Sequence, residues 1–142
     1  MRSFLVDINV WVALAYDGHA HHERASRWFE SSDLERAFFC RITQIGLLRL
    51  LTNRTVMGRD VLTQRQAWRI YDRLIRDERV GFLNEPSGVE KGFRDLTIRS
   101  LASSKQWLDA YLAAMARSAQ MTLATFDASL ANTAGLSAVY LG

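Results

Sequence analysis

Residues 4–16 read FLVDINVWVALAY. The first three residues are apolar and favour extended structure, so we predict a short buried strand over 4–6 that ends at Asp7. Apolar residues continue from Val10 to Tyr16, where we predict a helix that Asp17 and Gly18 terminate. An acidic residue therefore lies where a buried strand gives way to a helix.

Strand and helix patterns alternate along the rest of the chain. We predict strands over 38–42, 80–83, 121–124 and 138–141, and Cys40 lies in the middle of the first of these as an inert core residue. Helices are predicted over 19–31, from an N-cap at Thr43 to about Asn53, from an N-cap at Thr63 to about 77, over 87–103 with Leu101 facing inward, and over 108–119. This alternation predicts an α/β fold with a mostly parallel central sheet.

The composition limits the class of protein. The chain has 142 residues and a mass of 16.2 kDa, of which 49% are hydrophobic and 23% charged, so we expect one globular domain over 1–142. The apolar runs are too short to cross a membrane, and Asp7 interrupts the N-terminal run, so we expect no signal peptide. A single cysteine, Cys40, excludes an internal disulfide and an all-cysteine zinc site. We expect a cytoplasmic protein.

The charge balance is mildly basic. The formal net charge is +3, and only Lys91 and Lys105 are lysines, so 16 of the 18 cationic residues are arginines. Arginine suits bidentate contacts with phosphate, but a GC-rich genome would also favour arginine codons. The charge alone therefore does not establish a nucleic-acid partner.

Two aspartates occupy the strand ends at which ligands bind to parallel sheets, and a third opens a helix. Asp7 follows the first predicted strand, Asp127 follows the fourth, and Asp109 lies in the first turn of an apolar helix. Each has a plain structural explanation, as a turn former or as an acid favoured by the helix dipole. Together they predict a carboxylate cluster whose members repel one another unless a cation lies between them. Oxygen ligands of this kind suit Mg²⁺ or Mn²⁺.

The segments around these acids resemble the motifs of PIN-domain ribonucleases. Four segments carry the resemblance in order along essentially the whole chain: VDINVWVAL at 6–14, TQIGLLRLLTN at 43–53, LDAYLAAMA at 108–116 and LATFD at 123–127. The chain is most similar to the VapC toxins of bacterial VapBC toxin–antitoxin pairs. The resemblance implies a three-layer α/β/α sandwich, an acidic pocket that holds Mg²⁺ or Mn²⁺, and cleavage of RNA, with tRNA or rRNA as substrate. It also implies a VapB-type antitoxin as partner and a homodimer.

The resemblance assigns roles to individual residues. Asp7, Asp109 and Asp127 are predicted to form the catalytic site and to hold the metal, directly or through water. The metal would activate a water for in-line attack on the phosphodiester. Asn9 and Thr125 are candidates for orienting these carboxylates, although a turn asparagine and a strand-end threonine explain them equally well.

Other polar and aromatic residues are candidates for contacts outside the acidic cluster. Arg49 and Trp107 are predicted to contact RNA or a partner, although packing in the core or in a dimer also explains the tryptophan. His19, His21 and His22 lack the spacing of a helical zinc site, so we interpret them as a solvated helix start that could touch RNA or the antitoxin.

One position departs from the family pattern. Most members have a glutamate in the second motif, and the matching residue here is Gly46. Glycine destabilises a helix by roughly 1 kcal/mol relative to alanine, which indicates a packing reason for it. Either three acids suffice, or another residue supplies the fourth contact. A catalytically degenerate PIN domain, which binds RNA or antitoxin without cutting, is therefore an alternative.

A more remote alternative is an aspartyl-phosphate phosphatase or receiver domain, which also has an aspartate after its first strand. Such a site needs a second acid beside Asp7 and a lysine after a later strand, whereas Ile8 and Asn9 follow here and lysine is nearly absent. The sequence contains no Gly-x-Ser-x-Gly or P-loop pattern, so serine-hydrolase and NTPase functions lack support.

Overall fold

The strands form one parallel sheet. A computed structural model describes residues 1–99, 102–133 and 135–142. The strands are β1 (Arg2–Val6), β2 (Leu34–Phe39), β3 (Val80–Phe82), β4 (Thr122–Thr125) and β5 (Ala138–Tyr140). Their order in the sheet is β3-β2-β1-β4-β5, and every neighbouring pair is parallel. The predicted α/β class with a parallel sheet is confirmed.

Helices connect the strands. They are α1 (Ile8–Ala15), α2 (His22–Phe29), α3 (Arg41–Leu51), α4 (Arg54–Met57), α5 (Gln64–Ile75), α6 (Val89–Thr97), α7 (Trp107–Ser118) and α8 (Ala128–Ala131), with a 3₁₀ turn over Gly58–Asp60. Within the described ranges, none of these helices combines the length and the hydrophobicity that crossing a bilayer requires.

Two apolar clusters, one on each face of the sheet, form the core. Successive residues of a strand point to opposite faces, and β1 shows this directly. Phe4 and Val6 join the cluster under α1, α2, α3 and α5, whereas Leu5 joins the cluster that includes residues of α6, α7 and α8. All three side chains are fully buried, as expected for a central strand covered on both faces. The result is the three-layer α/β/α sandwich.

The second strand lies earlier than the predicted 38–42, because β2 covers Leu34–Phe39. The strand ends at Phe39, so Cys40 does not lie in mid-strand but is the buried N-cap of α3. Thr43 is not the N-cap, as predicted, but lies in the first turn, where its hydroxyl accepts the N–H of Cys40 at 2.9 Å. The helix therefore begins earlier than predicted, because Thr43 closes the first turn from inside the helix.

Other predicted helices are too long. The α6 helix ends at Thr97, after which Ile98 is 73% exposed, so the apolar residues beyond this point do not continue a buried helix face. Leu101, predicted to face inward, lies outside the described residues. The α2 helix begins only at His22, because His19 Nδ1 accepts the N–H of His21 at 3.0 Å in a local turn. The N-cap at Thr63 is confirmed, and the short helices α4 and α8 were not predicted.

Candidate active site

Asp7 lies at the carboxyl end of the central strand β1 and is the N-cap of α1. The residue is 7% exposed. Its Oδ1 accepts the N–H of Ile8 at 2.8 Å, and its Oδ2 accepts the hydroxyl of Thr125 at 2.7 Å. Burial raises the pKa of Asp7, these two hydrogen bonds oppose the rise, and the negative charge of Asp127 adds to it. The carboxylate is thus firmly oriented but poorly compensated in charge.

Thr125 connects Asp7 to the second acid. This fully buried residue ends β4, the neighbour of β1, and its hydroxyl also accepts the backbone N–H of Asp127 at 2.9 Å. Asp127 is the N-cap of α8, and its Oδ1 accepts the N–H groups of Ser129 and Leu130 at 2.9 and 3.2 Å. A single hydroxyl therefore fixes the position of both strand-end acids relative to each other.

Asp109 reaches the same region from the other helical layer. It lies in the first turn of α7 and is partly buried. Burial raises its pKa, and the charges of Asp7 and Asp127 raise it further. The three predicted acids therefore share one electrostatic environment. In the described part of the chain, the ion pairs of acidic residues lie elsewhere, at Asp33, Glu30, Asp77, Asp95 and Glu90.

The chemistry of this donor set fits a divalent cation. Carboxylates that raise one another's pKa gain most from a positive ion between them, and Mg²⁺ accepts a few carboxylates while it keeps several waters. Among the described residues, no three acidic, histidine or cysteine side chains already surround one point at which an ion would bind. The three aspartates would therefore hold an ion after side-chain rotation or through coordinated waters.

Asn9 acts on the main chain rather than on an acid. Its Oδ1 accepts the N–H of Phe126 at 3.3 Å, which ties the first turn of α1 to the loop between Thr125 and Asp127. Thr125 thus contacts two of the acids, whereas Asn9 holds the loop that carries one of them.

Gly46 is buried in α3 against the first turn of α1. A Cβ atom added there would lie 2.6 Å from Cγ1 of Ile8 and closer still to its Cδ1. Such distances are shorter than van der Waals contact, so the Ile8 side chain occupies the space that a side chain at residue 46 needs. Because Ile8 directly follows Asp7, an apolar group lies beside the acids where the family pattern has a carboxylate.

The two residues predicted to bind RNA or a partner lie in different places. Trp107 is 47% exposed, packs edge-to-face on Phe93 at 6.0 Å, and lines a cavity of about 330 Å³ that also contains Asp109 and the exposed residues Arg99 and Lys105. Arg49 is exposed in the last turn of α3, about 12 Å along the helix from its first residue. Trp107 therefore shares a cavity with one of the three acids, whereas the contacts of the described residues do not connect Arg49 with them.

The three histidines make different contacts, although the ring centroids of His19 and His21 lie 5.7 Å apart. His22 Nδ1 lies 2.7 Å from the carbonyl oxygen of Ala13, and His19 makes the local turn described above. His21 is exposed, and its ring stacks on Phe126 with a centroid distance of 4.8 Å and an interplanar angle of 20°. Sequence reasoning missed Phe126, although its place in the LATFD segment beside Asp127 was a signal.

Comparisons with known proteins show the family and the fold of the chain. The family model of the PIN domain matches residues 4–136. Ribonuclease VapC41 of Mycobacterium tuberculosis is 40% identical over 137 residues, which cover 93% of this chain and 94% of that protein. The crystal structure of Mycobacterium tuberculosis VapC20, described as a sarcin–ricin loop cleaving toxin, has a TM-score of 0.67 at 20% identity and covers 94% of this chain and 95% of that one. The structure of VapBC-1 from nontypeable Haemophilus influenzae has a TM-score of 0.69 at 17% identity, with 98% of both chains covered.

Proposed function

The chain belongs to the PIN-domain family and groups there with the VapC ribonucleases, and from this premise we propose that it is a Mg²⁺- or Mn²⁺-dependent endoribonuclease. The observation that supports this proposal is the cluster of Asp7, Asp109 and Asp127. Burial and mutual repulsion raise the pKa values of Asp7 and Asp109, and no ion pair of the described residues relieves the repulsion. A protein that only bound RNA would gain nothing from repelling its phosphates in this way.

The residues of the chain have distinct tasks in this proposal. Asp7, Asp109 and Asp127 would hold the ion. When bound, the ion would lower the pKa of a water molecule and would neutralise negative charge on the phosphate. The hydroxyl of Thr125 fixes the relative positions of Asp7 and Asp127, and Asn9 holds the loop between Thr125 and Asp127. Asp127 binds two backbone N–H groups through Oδ1, so it would face the ion with Oδ2.

The proposed partners follow from the family. VapC20 is described as a toxin that cleaves the sarcin–ricin loop, and we propose rRNA or tRNA as the substrate of this chain. The solved VapBC-1 structure suggests a VapB-type antitoxin as its partner, and we further propose a homodimer. Trp107, with the cavity beside Asp109, and the exposed Arg49 are both proposed to contact RNA or antitoxin.

The test is cleavage of a total tRNA and rRNA pool by the purified, antitoxin-free protein in Mg²⁺, Mn²⁺ or EDTA. We expect discrete fragments that disappear in EDTA and in Asp109→Asn. The matched control is Asp72→Asn, which makes the same chemical change at an exposed residue of α5 and should cut normally. Fragments that persist in both EDTA and Asp109→Asn would contradict the metal mechanism. A folded protein that binds RNA without cutting it would instead support the degenerate alternative.

A further inference from the structure

His21 and Phe126 form a pair of stacked rings directly beside the acids. Phe126 immediately precedes Asp127, and its ring lies 4.8 Å from that of His21 at 20° from parallel. Phe126 is half-buried and packs against the cluster under α1, whereas His21 is exposed. We call these two residues the aromatic shelf. The half-buried ring of Phe126 anchors the shelf to the core, and the exposed ring of His21 covers the ring of Phe126.

The aromatic shelf is held in place by side-chain hydrogen bonds on both of its members. Asn9 accepts the N–H of Phe126 at 3.3 Å, and His19 accepts the N–H of His21 at 3.0 Å. These contacts restrain the main chain on either side of the stack. A flat, restrained and accessible ring loses little conformational entropy when another ring stacks on it.

The surroundings of the aromatic shelf favour an anionic strand. The α2 helix begins at the residue after His21 and carries exposed Arg24 and Arg27 against one acid in its first turn, Glu23. Asp127, one of the acids of the candidate active site, directly follows Phe126. His21 is thus three residues from an exposed arginine, Arg24, and Phe126 is next to an acid of the candidate active site.

We propose that the aromatic shelf stacks a base of single-stranded RNA next to the phosphodiester that is cut, an inference that rests on the proposed ribonuclease function. Single-stranded RNA is recognised largely through unstacked bases that lie on aromatic rings, and every base has a face that can stack. The shelf thereby positions the substrate and does not take part in the chemistry. The aromatic shelf lies on the α1 face of the sheet, and the cavity beside Trp107 lies on the α7 face. RNA that contacts both therefore crosses the carboxyl ends of the β-strands between them.

The test combines removal of the protein ring with removal of the base. The probes are a single-stranded hexaribonucleotide with one central 2-aminopurine and the same oligonucleotide with an abasic site at that position. All proteins carry Asp109→Asn, so that the probes stay intact in Mg²⁺. We expect His21→Ala to weaken binding of the 2-aminopurine probe by about 5- to 100-fold, and to reduce its fluorescence quenching. The abasic probe should bind equally to both proteins.

Two further variants separate stacking from other effects. His21→Trp keeps a stacking surface and should bind the 2-aminopurine probe at least as well as the parent protein. Trp68→Ala, which removes a 47% exposed ring on α5, should leave binding unchanged. Unchanged affinity and quenching in His21→Ala would overturn the proposal. So would an equal loss for both probes, or a loss of antitoxin binding alone.

Cleavage kinetics distinguish this inference from the proposed function. If the chain cuts RNA, His21→Ala in the otherwise native protein should raise KM with little change in kcat, and an unchanged KM would overturn the shelf alone. If the chain cuts no RNA but loses base-dependent binding in His21→Ala, the shelf stands and the nuclease fails.

Discussion

Replacing Gly46 with alanine should destabilise the protein, against the usual effect of this substitution in a helix. At an open helical position, alanine is more favourable than glycine by about 1 kcal/mol. Here the new Cβ would lie 2.6 Å from Cγ1 of Ile8, and moving Cγ1 aside takes this β-branched side chain out of the one χ1 rotamer that a helix strongly prefers. Overpacking of this kind costs about 1–3 kcal/mol. The balance is a net loss of about 1 kcal/mol, or about 3–5 °C in Tm for a chain of this size.

Urea unfolding of a double-mutant cycle measures the origin of this loss. In an Ile8→Ala background the clash is absent, so Gly46→Ala should stabilise by about 1 kcal/mol, and the coupling between the two positions should be about 2 kcal/mol. Gly92→Ala in α6 is the matched control, because its added Cβ would meet Cβ of Ala114 at an ordinary 3.6 Å and should stabilise the helix. If Gly46→Ala stabilises the native protein as Gly92→Ala does, the packing explanation of Gly46 is refuted.

The same geometry predicts how a fourth acid can be introduced. Gly46→Glu alone should unfold more easily and gain no affinity for Mn²⁺, because Ile8 occupies the space. Ile8→Ala with Gly46→Glu should bind Mn²⁺ more tightly than Ile8→Ala alone, since it adds an oxygen donor beside Asp7. Equal affinities in calorimetry would show that residue 46 does not face the ion.

Three further outcomes follow from the described contacts. Folding raises the pKa values of Asp7 and Asp109 above the ordinary 3.8, so protonation of these two acids stabilises the folded state. In EDTA, we expect this stabilisation to be complete below about pH 4 and to be lost as the pH rises through the raised pKa values. In Asp109→Asn, Tm should fall less steeply with rising pH. An unchanged slope of Tm against pH would contradict the electrostatic contribution of Asp109. Thr125→Val removes the hydroxyl that joins two acids, so it should lower Mn²⁺ affinity about 10- to 100-fold. Thr125→Ser keeps the hydroxyl and should bind Mn²⁺ nearly as well as the native protein. Equal affinities for the native protein and both variants would refute the role of this hydroxyl in positioning the acids. Gln120 has a φ of 56° just after α7, a backbone conformation that glycine adopts without strain. Gln120→Gly should therefore stabilise the protein by about 1 kcal/mol, whereas Gln120→Ala should not. An unchanged urea midpoint for both variants would count against backbone strain at Gln120.

The sequence was most informative where local patterns and burial coincide. The strand β1 contains the apolar run at residues 4–6 directly before Asp7, and β4 contains Leu123 and Ala124 shortly before Asp127, so the existence of both strands and the position of their acids could be predicted. The resemblance to PIN-domain ribonucleases is confirmed. The neighbouring positions of β1 and β4 in the sheet could not be predicted from these patterns, because strand order depends on long-range packing that periodicity does not encode.

The errors arise where one local pattern has two structural solutions. Thr43 is compatible both with an N-cap and with the third position of a helical first turn, and the hydrogen bond from the Cys40 N–H to its hydroxyl identifies the second. Gly46 and Phe126 present a related difficulty, because their partners Ile8 and His21 are far away in sequence. No helical or strand period connects such pairs, so their significance emerges only from tertiary contacts.

The distribution of ion pairs indicates how metal and RNA binding are coupled. Arginine is abundant, yet the ion pairs of the described residues lie at the surface, as in the contact of Arg79 with Asp77 and Glu30, and not at the three acids. Burial and the charges of Asp7 and Asp127 raise the pKa of Asp109, and the negative charge of these acids also repels a phosphate, so a cation that neutralises them should favour the approach of RNA. RNA affinity should therefore rise when Mg²⁺ replaces monovalent salt at equal ionic strength. Asp109→Asn weakens the repulsion and should reduce this rise, which separates metal coupling from general screening.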